Sequence, residues 1–268
     1  MKIGVIGTGN LASAVISGSV RSGKFSGEQF TVYDLFAEKI AENNQKYGTK
    51  PAQSAAEVAQ NCDVVILAVK PKDFPALVTS LAGDFQKKDP LILTVAAGLS
   101  MQFIASFLPY APKMARLMTN INASVGGAMT AYCPNERVSA QEKTFLDTFC
   151  KSFGDAIELE ENFFSQFAVL AGCVPAFAYK FVDEIARAGV QIGIRKDLAL
   201  RIAAQTVLGS AAAVAQEDAH PYALIDRVCT PGGTTIEGIA ALDALGLNDA
   251  VHQAVLAAYG KDCAMSKK

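Results

Sequence analysis

At 268 residues, with 51% hydrophobic side chains and a formal net charge of −2, the chain can bury a substantial core. That balance excludes disorder and gives no reason to expect nucleic acid or an anionic membrane surface as a partner. Six cysteines (Cys62, Cys133, Cys150, Cys173, Cys229 and Cys263) form no CxxC pair and read as reduced, buried thiols. His220 and His252 stand apart with no cluster of cysteines or carboxylates beside them, so no metal site is expected.

Lys2, the apolar run after it and Ala12-Ser13-Ala14 resemble a short secretory signal, but Gly7, Gly9 and Asn10 interrupt the run. Apolar segments elsewhere, such as Phe167 to Tyr179, fall short of the roughly 20 residues needed to cross a bilayer. The expectation is a soluble cytoplasmic protein.

Lys2 to Ile6 is a short β-branched run, Gly7-Thr8-Gly9-Asn10-Leu11-Ala12 follows, and Leu11, Val15, Ile16 and Val20 then repeat at helical spacing. This is a strand, a glycine turn and a helix, with the motif GxGxxA. The first glycine makes the turn, the second lets a pyrophosphate approach the backbone, and the small third residue packs helix on strand. Phe30 to Asp34 supplies a second strand that ends in an acid at roughly the 20-residue spacing of a dinucleotide site. The same turn can occur in a doubly wound domain that binds nothing.

The alternation continues with a helix over Ala56 to Gln60 and strands over Asp63 to Val69 and Leu91 to Val95. In an open parallel sheet the ligand crevice lies beyond the carboxyl ends of the strands. Lys70-Pro71 and Ala96-Ala97-Gly98 should therefore face a cofactor, although Lys70 equally fits a solvated surface lysine. Lys113 to Met118 reads as a further strand with Thr119-Asn120 at its end. Val125 to Cys133 and Ala156 to Leu159 add strands around a helix from Ala140 to Phe153.

Near Glu160 strand-like alternation stops. Helical stretches follow at Phe163 to Ile192, Lys196 to Gln216, Thr234 to Leu245 and Asp249 to Ala264, so residues 1–160 form the dinucleotide-binding domain and 161–268 a helical one. Pro175 should kink the first of these helices. That helix is apolar nearly all round, which suggests burial against a second subunit, or a central position in a monomer.

Thr230-Pro231-Gly232-Gly233-Thr234-Thr235 is a tight loop running into a helix. Thr234 with Glu237 fits a capping box, and the bare amides at the same helix start fit a site for a substrate carboxylate.

These residues resemble pyrroline-5-carboxylate reductases along essentially the full length. The resemblance is carried by Ile6-Gly7-Thr8-Gly9-Asn10-Leu11-Ala12, Leu67-Ala68-Val69-Lys70-Pro71, Ala96-Ala97-Gly98-Leu99, Ala203-Ala204-Gln205-Thr206-Val207-Leu208-Gly209-Ser210-Ala211 and, most specifically, Val228-Cys229-Thr230-Pro231-Gly232-Gly233-Thr234-Thr235-Ile236. It implies an α/β fold, a Rossmann-type doubly wound sheet followed by an all-α helical dimerisation domain, with active sites completed in a homodimer or higher oligomer. It further implies hydride transfer from NADPH or NADH to a cyclic imino acid, giving L-proline. On this reading Gly7, Thr8, Gly9, Asn10, Leu11, Asp34, Ala68, Val69, Lys70, Pro71, Ala97, Gly98 and Asn120 hold the cofactor. Thr230 and the amides of Gly232, Gly233 and Thr234 hold the substrate carboxylate, and Thr235 hydrogen-bonds the imine nitrogen as the catalytic residue.

The chain departs from the family pattern in three places. The family usually shows Met-Pro-Asn-Thr-Pro where this chain has Met118-Thr119-Asn120-Ile121-Asn122, and serines where it has Ala171 and Cys173. Members preferring NADPH commonly carry Asn-Arg where this chain has Asp34-Leu35, so family tendency points to NADPH and the residue points to NADH, unless Asp34 rotates away. Two rival readings are a hydroxyacid dehydrogenase using Lys180 as acid/base, and a non-catalytic dinucleotide-binding redox sensor.

Overall fold

The computed structural model describes residues 1–266. It divides into two compact units, one of Met1–Cys173 together with the chain from Tyr259 onward, the other of Val174–Ala258.

In the first unit, β1 (Ile3–Ile6), α1 (Asn10–Arg21), β2 (Phe30–Tyr33), α2 (Ala37–Tyr47), β3 (Lys50–Pro51), α3 (Ala55–Asn61), β4 (Val64–Leu67), α4 (Phe74–Lys88) and β5 (Leu91–Thr94) alternate. They are followed by α5 (Met101–Ala105), β6 (Met114–Met118), β7 (Ala128–Pro134), α6 (Ala140–Cys150) and β8 (Gly154–Glu158). The strands form one sheet in the order β3-β2-β1-β4-β5-β6-β7-β8. Neighbours are parallel except β6 and β7, which pair antiparallel.

The central strands β1, β4 and β5 are buried at every position, as their unbroken apolar runs require. Their side chains alternate between two cores. Ile3, Val5, Val64, Ile66, Leu91 and Leu93 face the layer of α1 and α6, while Ile6, Val65, Leu67 and Ile92 face the layer of α3 and α4. This two-sided covering is the doubly wound α/β arrangement that the alternation predicts. Phe25, Phe30, Phe145, Phe149 and Phe153 fill the first layer, with Phe25 edge-on to Phe149 at 5.5 Å.

Several elements lie beyond the sequence expectations. α2 is mostly polar and closes on Gly48 at φ 71°, and α4 carries Pro75 in its first turn. The strand expected from Val125 starts instead at Ala128, because Val125 ends a 3₁₀ turn (Ile121–Val125) that closes through Gly126 at φ 76°. Cys62 and Cys150 are buried, but Cys133, Cys173, Cys229 and Cys263 are half-buried, which corrects the expectation that all six are interior; none is in a disulfide.

The helix expected over Phe163 to Ile192 comprises α7 (Phe164–Phe167), a π-helical stretch Ala168–Cys173 and α8 (Val174–Gln191). Pro175 has no N–H to offer the carbonyl of Ala171, four residues earlier, and the widened turn is the local response. The second unit contains α8, α9 (Lys196–Gln216), α10 (Pro221–Val228), α11 (Thr234–Ala244) and the start of α12 (Leu247–Ser266). Ala186, Ala199 and Ala203 form its small core between α8 and α9.

The expectation of a central helix buried on several sides is not met within one chain. Phe177, Tyr179, Phe181, Ile185 and Val190 of α8 are exposed, as are Leu198, Leu200, Ile202, Leu208 and Val214 of α9. Nor do the apolar segments fall short in length: Glu161–Gln191 and Lys196–Gln216 are long and apolar enough to cross a bilayer by length and composition alone. The shorter estimate stopped where the apolar run is broken by Lys180 and Asp183.

α1 packs closely on the 3₁₀ turn at Ile121–Val125. A Cβ on Gly18 would lie 2.1 Å from the Ala123 carbonyl oxygen and 2.6 Å from the Phe153 Cβ, so only glycine fits. Ser19 and Ser152 seal the same contact with a buried hydrogen bond of 2.9 Å. Gly18→Ala should cost about 1–3 kcal/mol, seen as a lower urea midpoint by far-UV circular dichroism. An unchanged midpoint would show that α1 and the turn are free to separate.

Candidate functional site

Parallel register brings four strand ends level. Ile6 of β1 lies opposite Tyr33 of β2 and Leu67 of β4, and Leu67 lies opposite Thr94 of β5. The turns that follow these strands are therefore neighbours along the carboxyl edge of the sheet. Gly7 donates its N–H to the Tyr33 carbonyl at 2.8 Å, and Ala68 donates to the Ile6 carbonyl at 2.9 Å. Gly7 has φ 96°, and a Cβ there would be 2.6 Å from the Ala68 carbonyl oxygen. Two backbone segments thus touch where a side chain would hold them apart.

Gly9 is extended and serves as the N-cap of α1, with no side chain accepting from the first turn. A Cβ on Gly9 would meet nothing within 4 Å. The outcome is an uncapped helix start with open space before it, which fits a dinucleotide pyrophosphate. Thr8 is buried, Asn10 is exposed, and Leu11 is half-buried with its side chain beside Val5 and Val15. At the same edge, Ala68 and Val69 are half-buried, and Lys70, Pro71, Ala97 and Gly98 are exposed.

Asp34 is bound to the glycine turn itself. Its Oδ2 accepts the Thr8 N–H at 2.7 Å and the Thr8 hydroxyl at 3.1 Å, and its Oδ1 accepts the Phe36 N–H at 3.1 Å. The carboxylate is fixed by backbone donors on both oxygens. This overturns the provision that Asp34 can rotate away, because rotation would strand the N–H of the buried Thr8.

Asn120 follows β6 and is buried. Its Nδ2 donates to the Ala171 carbonyl at 2.8 Å, and its Oδ1 accepts the Asn122 N–H at 3.0 Å. The side-chain amide supplies the donor that Pro175 cannot, and it caps the 3₁₀ turn with its other end. Nothing in the spacing of Thr119-Asn120 signals that partner, which lies 51 residues away in the chain.

A second network escaped the sequence reading. The buried Arg116, inside β6, donates from Nη1 to Glu161 Oε1 at 3.0 Å and stacks on Phe164 at 4.8 Å. Glu161 Oε1 also accepts the Met101 N–H at 2.8 Å, so this pair anchors the start of α5 just after Ala97-Gly98. Burial first, and the charge of Glu161 second, push the Cys133 thiol above its ordinary pKa. An arginine inside an otherwise apolar strand was the available signal.

In the second unit, the loop after α10 turns tightly. Gly233 donates its N–H to the Thr230 carbonyl at 2.9 Å, and Gly232 takes φ 67°. Gly233 is the N-cap of α11, and no side chain accepts from the helix start. The expected capping box of Thr234 and Glu237 is therefore absent. The glycine pair closes the turn one residue earlier, which makes Thr234 the first helical residue instead of the cap. The first amides of α11 keep no side-chain partner, and Thr230, Gly232 and Thr234 are exposed. Thr235 is half-buried and lines an apolar cleft of about 440 Å³ with Ser210, Val214, Leu224, Ile225 and Ile239. Lys180, the acid/base of the rival reading, is 76% exposed and ion-paired with Glu184 at 2.8 Å.

Comparison with known proteins follows this division. A family described as pyrroline-5-carboxylate reductase dimerisation matches residues 161–265, and one described as NADP oxidoreductase, coenzyme F420-dependent, matches residues 2–98. The pyrroline-5-carboxylate reductase of Escherichia coli (strain K12) is 34% identical over 266 residues, covering 99% of this chain and 98% of that one. The chain belongs to the pyrroline-5-carboxylate reductase family.

Solved structures of pyrroline-5-carboxylate reductases agree over the full length. The Streptococcus pyogenes enzyme has a TM-score of 0.84 at 34% identity, covering 98% of each chain. The Plasmodium falciparum pyrroline carboxylate reductase, which has NADP bound, has a TM-score of 0.87 at 26% identity, covering 99% of this chain and 98% of that one. Among reductases of this family, the present chain carries Ala171 and Cys173 on a π-helical stretch whose one carbonyl is claimed by Asn120.

Removing that donor isolates a test of its role. Asn120→Ala leaves the Ala171 carbonyl without its partner and should lower unfolding free energy by about 1–3 kcal/mol. Chemical denaturation reads this directly, and wild-type stability in the variant would remove Asn120 as the group that compensates for Pro175.

Proposed function

We propose that this chain reduces 1-pyrroline-5-carboxylate to L-proline with NAD(P)H, the last step of proline biosynthesis, as a cytoplasmic homodimer. The observation that carries this reading is the uncapped start of α11 behind Thr230–Gly233, in a chain that matches the family from end to end. The starts of α1 and α11, whose N-cap residues are Gly9 and Gly233, suit two anionic ligands: a pyrophosphate and a carboxylate.

Each residue has a task set by its chemistry. The turn Gly7-Thr8-Gly9-Asn10-Leu11, with Asp34, Ala68, Val69, Lys70, Pro71, Ala97 and Gly98 along the same sheet edge, holds the dinucleotide, and Asn120 braces the floor beneath it. When bound, the reduced nicotinamide supplies the hydride that adds to the imine carbon. The amides of Gly232, Gly233 and Thr234 and the Thr230 hydroxyl hold the substrate carboxylate without reacting with it. The Thr235 hydroxyl hydrogen-bonds the imine nitrogen and keeps the proton there, because a protonated imine accepts hydride far better than a neutral one. That proton remains on the nitrogen of the secondary amine formed.

The lack of hydroxyls at Ala171 and Cys173 leaves substrate binding to the carboxy-terminal loop. On this reading the functional boundary lies between residues 160 and 161, and the start of the dimerisation-family match at residue 161 supports it. The exposed apolar faces of α8 and α9 suit a second copy of the chain in place of a bilayer, since they sit between charged pairs such as Lys180 with Glu184 and Arg187 with Asp183.

Imine-dependent oxidation of reduced nicotinamide by the purified protein tests the activity, and a rate equal to that without imine would refute it. Thr235→Ala should lower kcat on the order of 10²-fold with nucleotide affinity unchanged. Wild-type kcat in that variant would take Thr235 out of the mechanism.

A further inference from the structure

The end of β2 carries a constraint that the activity alone does not require. The Asp34 carboxylate has about four acceptor positions. Three are used by the Thr8 N–H, the Thr8 hydroxyl and the Phe36 N–H. What remains is acceptor capacity on Oδ1 and a full negative charge. In a doubly wound dinucleotide domain this position meets the adenosine ribose. A free 2′-hydroxyl has a proton to donate to such a group. A 2′-phosphate, largely dianionic at neutral pH, has none and is repelled.

The residues next to Asp34 in sequence offer little to offset that repulsion, and the cations that line the cleft beside Thr8 and Gly9 are Lys39 and Lys46. Leu35 and Phe36 follow Asp34, both exposed and uncharged. The next cation is Lys39, whose ammonium lies 5.0 Å over the Phe36 ring. Among the described residues no ion pair reaches Asp34, whereas other surface carboxylates such as Asp63 and Asp89 have cationic partners. Nor can the carboxylate swing clear, since two of its bonds are to backbone amides and one of these belongs to the buried Thr8.

We infer that Asp34, fixed against the glycine turn by Thr8, makes this chain selective for NADH over NADPH. The inference deepens the reductase reading and rests on it for the nicotinamide, but selectivity is a property of binding and is measured without the imine.

The test is a titration of the full-length protein with NADH and with NADPH, followed by the fluorescence of the reduced nicotinamide; the chain contains no tryptophan to interfere. NADH should bind about tenfold or more tightly than NADPH, equivalent to ~1.4 kcal/mol. Asp34→Asn, which keeps the shape and an acceptor for Thr8, should bring the two affinities within about threefold, mainly by tightening NADPH. Leu35→Arg, with Asp34 intact, should also tighten NADPH and leaves a decisive variant if Asp34→Asn does not fold. Equal affinities in the wild type, or tighter NADPH, would overturn the inference, as would a ratio that Asp34→Asn does not move. Selective NADH binding without imine turnover would refute the reductase reading and leave the selectivity standing; imine turnover with NADPH bound more tightly would do the reverse.

Discussion

The contact on which the cofactor half of the molecule depends is the meeting of Gly7 with the Ala68 carbonyl. At φ 96°, and with 2.6 Å where a Cβ would need its van der Waals distance, the position admits glycine alone. From this approach the rest follows in order. The turn is tight enough for Thr8 to reach Asp34 at the end of the neighbouring strand. It also lets α1 begin at Asn10 with Gly9 as a cap that has no side chain. An alanine at position 7 would separate β1 from β4 at the edge where their turns must lie together. The glycine turn is thus a consequence of sheet packing, and in the proposed site the bond that orders it would also limit which ribose fits.

Pro175 imposes a second constraint on the stretch that leads into α8. Its missing N–H leaves the Ala171 carbonyl without a helical partner, the backbone widens into a π-turn, and Asn120 fills the vacant bond from β6. Arg116, inside the same strand, pairs with Glu161, whose carboxylate also accepts the N–H of Met101 at the start of α5. Both cases use a polar side chain to satisfy a backbone group that regular structure leaves open. Buried polar groups of this kind must be matched in pairs, which fixes the geometry of the edge more firmly than apolar packing would.

Much of this was legible before the coordinates. The turn Gly7 to Ala12 and the apolar runs of β1, β4 and β5 carry their physical meaning locally, because a glycine turn and a strand buried on both faces need particular residues in a row. The loop Thr230 to Thr235 was legible as a helix start, but not its cap: Gly233 closes the turn by a backbone bond that no side-chain pattern encodes. α2 and the true partner of Asn120 were hidden for related reasons. A polar surface helix has weak periodicity, and a hydrogen bond spanning 51 residues depends on the tertiary fold. The apolar residues all round α8 implied burial, yet within one chain its face stays exposed, since such a pattern implies burial only when every interacting copy of the chain is present.

In the reaction proposed for this chain, the hydride of a reduced nicotinamide adds to the imine carbon of the substrate. Its most direct measurement is a single turnover with nicotinamide deuterated at the transferring position, followed by mass spectrometry of the product. The account predicts L-proline carrying one deuterium on the ring carbon that was the imine carbon. Proline without deuterium, or no proline at all, would contradict it.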